Sequence, residues 1–147
     1  MSWLLYVFVV VAGALNTVQS GQNATLNKAL GQPLIAALVV TLANAVIYAA
    51  AIPFVGIAWP EAGRIASVPW WAWLGGAFGG VYVLAMIFVA DKVGAAAFTG
   101  LTVTAAIVTS IALDHFGWVG FQVHEAGIWR LLGAVLMIAG LGLVCLF

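Results

Sequence analysis

The sequence predicts an all-α membrane protein of five transmembrane helices, and three observations carry that reading. Hydrophobic residues fill 66% of the 147 positions and charged residues only 5%, with a mean hydropathy of +1.22. No soluble domain of this size covers its surface with four Lys/Arg, four Asp/Glu and two His. The apolar residues fall in five runs of about 20 or more, enough for a hydrocarbon core about 30 Å thick, with polar breaks between them. The expectation is one multi-pass membrane domain over residues 1–147.

The first span is expected over about 3–27, and its second half is the most polar stretch of any run. Pro33 suits the first turn of a second span, about 33–57, in which Pro53 marks a kink or an early end. Residues 58–68 read as a loop holding Glu61 and Arg64. The third span, about 69–90, opens on Pro69-Trp70-Trp71, and Asp91-Lys92-Val93-Gly94 reads as a tight turn. The fourth covers about 95–113. The longest connection, 114–127, follows, and the fifth span runs over about 128–147. Gly75 and Gly79, and Gly76 and Gly80, stand four apart in the third span, a spacing that lets helix backbones approach.

Polar side chains inside the spans are the candidate functional groups. At about 100° per residue, Asn16, Gln19, Ser20, Asn23 and Asn27 fall within roughly a third of the first helix's circumference. Gln22, Thr25 and Lys28 point elsewhere, toward the headgroup end. An amide without a partner in hydrocarbon costs several kcal/mol, so the stripe must face protein, water or a ligand. Thr41, Asn44 and Tyr48 share a face of the second span, Tyr82 sits in the third, and Thr99, Thr102, Thr109 and Ser110 lie near one face of the fourth. Span hydroxyls commonly bond carbonyls of their own helix, whereas an amide cannot be satisfied so locally. The expected substrate-binding set is Asn16, Gln19, Ser20, Asn23, Asn44, Tyr48, Tyr82 and Thr102. The plainer reading of the same amides is glue between helices.

Other chemistry finds little support. No span centre carries an Asp, Glu, Lys, Arg or His. Asp91 and Lys92 read as solvated turn residues, and Asp114 as either a cap after the fourth span or a partner of Arg130. Asp114, His115, His124 and Glu125 match no regular metal-ligand spacing, and no nucleophile elbow, phosphate loop or CxxC occurs. No enzyme, no cofactor and no metal are therefore expected. Near-zero net charge argues against nucleic acid as a partner. The single cysteine, Cys145, excludes an intrachain disulfide, and Met1-Ser2-Trp3 offers no positive region for a signal peptide.

Five alternating spans put Arg64 and Arg130 on one side of the membrane and Lys28 and Lys92 on the other. Short-loop Lys/Arg excess sets orientation, so an even division leaves insertion undirected. Such a chain suits dual topology, with copies inserted both ways and paired antiparallel. Trp3, Trp59, Trp70, Trp71, Trp73, Trp118 and Trp129 all lie toward the Arg64 side, so only an antiparallel pair would carry an aromatic belt at both interfaces.

The polar segment Gly13–Asn27, Pro69-Trp70-Trp71-Ala72-Trp73-Leu74-Gly75-Gly76, Asp114-His115-Phe116-Gly117 and Arg130-Leu131-Leu132-Gly133 together resemble the YdcZ-like branch of the drug/metabolite transporter superfamily, half-length relatives of the small multidrug resistance transporters. The resemblance covers nearly the whole chain and implies a multi-pass protein of the bacterial inner (plasma) membrane. It implies two copies assembled into a ten-helix inverted-repeat transporter, with the site at the repeat interface near mid-membrane. It also implies that Gln19 and Asn23 line that site. Two positions depart from the pattern: Ala105-Ala106 stands where many relatives have Gly-Gln, and the first-span Glu of the small multidrug resistance proteins has no counterpart. The expected function is secondary transport of a small organic solute by alternating access as an antiparallel homodimer in the lipid bilayer. The alternatives are a non-transporting scaffold or accessory subunit and, more remotely, a channel.

Overall fold

The computed structural model describes residues 2–147, and among them there are helices and turns but no strand. Five helices are long and apolar enough to cross a membrane. They are α1 (Ser2–Leu30), α2 (Pro33–Val55), α4 (Leu74–Val93), continuous with a 3₁₀ turn over Trp70–Trp73, α5 (Ala95–Phe116) and α6 (Ile128–Leu146). A short helix, α3 (Ala62–Ala66), lies in the segment expected to be a plain loop. At its 29 residues, α1 is about 43 Å long, longer than a hydrocarbon core of about 30 Å, so it tilts or reaches the headgroups.

Glycine and proline set the reversals. Gly31 takes φ +64 and its N–H donates to the Asn27 carbonyl, closing α1 before Pro33 starts α2. Pro53 stays inside α2, which ends at Gly56 (φ +69). The expected turn over 91–94 is not a turn through most of its length. Asp91, Lys92 and Val93 continue α4, and Gly94 alone (φ +88) separates that helix from α5. A lysine in a last turn is favoured by the partial negative charge of the carbonyl end, which offsets the pull of a charged dipeptide toward water. Likewise α5 continues to Phe116, placing Asp114 and His115 on its last turn.

The chain forms two compact units, Met1–Lys92 and Val93–Phe147. In the first, α1 packs against α2, and the unit buries Ala24 on α1 and Ala36 and Val40 on α2. On α4 the buried residues are Met86, Ile87 and Ala90. In the second unit α5 packs on α6: a Cβ on Gly100 would stand 2.7 Å from Leu141 Cδ1, so the glycine leaves room for the Leu141 side chain. The connection after α5 folds back on its end. The His124 N–H donates to the Asp114 carbonyl, while Arg130 pairs with the Asp114 carboxylate at 2.6 Å and also donates to the His124 carbonyl. Of the two roles open to Asp114, pairing with Arg130 is the one observed.

Candidate functional site: a polar seam between two helices

Within the first unit, α1 and α4 are joined by a ladder of side chains. Asn16 Nδ2 donates to the Tyr82 hydroxyl oxygen at 3.1 Å. Asn23 Nδ2 donates to Met86 Sδ, also at 3.1 Å. Lys28 Nζ meets Asp91 Oδ1 at 2.6 Å. All three rungs climb in the same order on both helices, so α1 and α4 run parallel along the seam. Asn16 is near the middle of α1 and Tyr82 near the middle of the third span, which puts the first rung close to mid-membrane. The last rung lies at the carbonyl ends of both helices.

The expected stripe is thus only partly closed. Ser20, fully buried, donates to the Thr17 carbonyl of its own helix. Gln19 and Asn27, half-buried, make no hydrogen bond among the described residues. The Asn23 amide is buried to 4% exposure, yet its N–H reaches only a thioether. Sulfur of that kind is a weak acceptor, so this rung is the least satisfied of the three.

The remaining expected residues sit differently. Asn44 is half-buried on α2, and Tyr48 is exposed on the same helix. Thr102 belongs to the second unit, where its hydroxyl donates to the Phe98 and Thr99 carbonyls of α5. An open groove along α1 is lined by Val18, Gly21, Gln22, Thr25 and Leu26, the face opposite the stripe. A smaller cavity of about 200 Å³ lies at the end of the seam, where Asn27, Lys28, Asp91 and Lys92 meet. Sequence reasoning missed Met86, which reads as an ordinary core residue. It also missed the Lys28–Asp91 pair; the available signal was opposite charge at the same ends of two neighbouring spans.

The fold and the seam define a class: a multi-pass helical membrane protein with uncharged hydrogen-bonding groups at bilayer depth. Residues 4–143 match the family model described as "Putative inner membrane exporter, YdcZ". The chain belongs to this family, and with it to membrane transporters of the inner membrane. It is 29% identical over 147 residues to inner membrane protein YdcZ of Escherichia coli (strain K12), covering 96% of this chain and 94% of that one. No solved structure matches.

Proposed function

We propose that the protein is a secondary transporter of a small organic solute, working by alternating access as an antiparallel, dual-topology homodimer. The observation that carries this reading is the Asn23 amide, buried in the seam and held, among the described residues, by a thioether alone. A solute carbonyl, carboxylate or hydroxyl is a better acceptor than Met86 Sδ, so exchanging one for the other gains free energy. Gln19, one turn away and without a hydrogen bond among the described residues, supplies a second pair of donor and acceptor groups. Asn16 and Tyr82 would complete the wall from α1 and α4. Ser20, Asn44, Tyr48 and Thr102 are the remaining candidates for this wall. The even division of Lys and Arg between alternating loops supports insertion in both directions.

A specific observation also favours the second reading, a scaffold: Asn16 and Asn23 already contact the neighbouring helix. Thermal unfolding of detergent-purified protein across a panel of small neutral and zwitterionic solutes separates the two. For the transporter, at least one solute raises Tm, and Asn23→Leu removes that rise while leaving the solute-free Tm nearly unchanged. For the scaffold, Gln19→Ala with Asn23→Ala disrupts the dimer and no solute acts. Tags on each terminus, probed from both sides of the membrane, test dual topology; labelling of the N-terminus from one side only would refute it.

A further inference from the structure

The cavity at the end of the seam has a composition that the transport reading does not use. Its polar wall is made of Asn27 and Lys28 from α1 and Asp91 and Lys92 from α4. Ala24, Ile87 and Phe88 form its apolar side. Its volume, about 200 Å³, suits a small headgroup or an amino-acid-sized molecule.

Charge decides what fits. Lys28 is already bound to Asp91 through Oδ1, whereas Asp91 Oδ2, the Lys92 ammonium and the Asn27 amide make no hydrogen bond among the described residues. Both helices end here with their carbonyls outward, and each such end acts as roughly half a negative charge. Two ammonium groups are therefore opposed by one carboxylate and two helix ends, which leaves the cavity close to neutral. A bare anion or a bare cation would upset that balance. A ligand bearing both signs would keep it, with its anionic group on Lys92 and Asn27 and its N–H donors on Asp91 Oδ2 and the carbonyl ends.

We propose that this cavity, where Asn27, Lys28, Asp91 and Lys92 converge at the ends of α1 and α4, binds a zwitterion that combines a primary ammonium with a phosphate or carboxylate. The chemistry is shared by two sources, a phosphoethanolamine lipid headgroup and a free amino-acid-like solute. The site does not depend on solute passing along the seam.

The test uses the full-length protein in detergent micelles, with Tm read for the wild type, Lys92→Gln, Asp91→Asn, Asn27→Ala and Asn23→Leu. The probes are glycine, glycerophosphoethanolamine and added phosphatidylethanolamine. Phosphatidylcholine, whose amine has no N–H, and phosphatidylglycerol, which has no amine, are the controls. A rise with glycine or glycerophosphoethanolamine supports the site with a soluble ligand. A rise with phosphatidylethanolamine alone supports it as a headgroup site. In either case the half-saturating concentration should rise about tenfold or more in Lys92→Gln and persist unchanged in Asn23→Leu. Asn27→Ala removes a donor that bonds nothing among the described residues, so it keeps the test readable if Asp91→Asn unfolds. No rise with any probe, an equal rise with the control lipids, or a rise indifferent to Lys92→Gln and Asn27→Ala would overturn the proposal. A rise abolished by Asn23→Leu but not by Lys92→Gln would place the zwitterion in the seam, overturning this site while leaving the transport reading intact.

Discussion

The two units differ in the polar groups inside their apolar helices: the first has amides that reach across helices besides hydroxyls that turn back on their own, while the interior of α5 in the second has hydroxyls alone. In the first, Asn16 and Asn23 reach from α1 to side chains of α4. In the second, Thr102 and Ser110 turn back on carbonyls of α5, and the Leu141 side chain of α6 fills the space left at Gly100. A hydroxyl on a helix is within reach of the carbonyl three or four residues back, so it can be silenced locally. An amide has two donors and an acceptor and must look outward. What marks a site is therefore the kind of polar group, more than how many there are.

That contrast can be broken most forcefully at Gly117, the cap of α5. Its φ is +64, and an added Cβ would lie 2.8 Å from Val123 Cγ2. Gly117→Val combines a left-handed backbone cost of about 1–2 kcal/mol with overpacking of about 1–3 kcal/mol. A large fall in Tm is expected, with hydrogen exchange accelerating in α5 and the connection after it while the α1–α4 seam stays protected.

Next in size is Arg130→Gln. Asp114 keeps only 19% side-chain exposure, and Arg130 also holds the His124 carbonyl, so a loss of about 1–2 kcal/mol is expected. Lys28→Gln is the comparison: that pair is 64% and 46% exposed and should be worth at most about 1 kcal/mol. Chemical denaturation of the two variants checks the order; equal effects would mean the two ion pairs are not distinguished by burial.

Smaller again is Asn16→Leu, which removes the Asn16–Tyr82 hydrogen bond and should cost about 1 kcal/mol, as interhelical hydrogen bonds in membranes do. Smallest is Thr102→Val, expected within about 0.5 kcal/mol because the bond lost is internal to α5 and the shape is kept. Should Thr102→Val prove the more damaging, the contrast between outward amides and inward hydroxyls would fail.

Much of this architecture was legible in the residues. The five spans follow from run length and hydropathy, and Gly31, Pro33 and Gly56 announce the reversals around α2. Helix ends were harder. Asp91 and Lys92, and Asp114 and His115, look like loop residues by charge, but the last turn of a helix already lies in the interface, where charge is tolerated. The helix α3 was hidden because five residues carry no periodic signal. Within the site, the angular rule grouped Asn16, Ser20 and Asn23 on one face, but it could not name their partners. Ser20 turns to its own helix, and Met86 declares itself only when Asn23 lies beside it. Pairing across helices is a property of register, which composition does not encode.

The placement of tryptophan has an optical consequence. Trp3, Trp59, Trp70, Trp71 and Trp73 lie at the ends of α1, α2 and α4 away from Lys28 and Asp91, and Trp118 and Trp129 flank the connection between α5 and α6. Native ultraviolet emission thus samples one extremity of each bundle and is dark at the other. Events at the lysine-rich extremity of the first unit leave that emission unmoved, while quenchers confined to a single leaflet report which leaflet holds the tryptophans of α1 and α4.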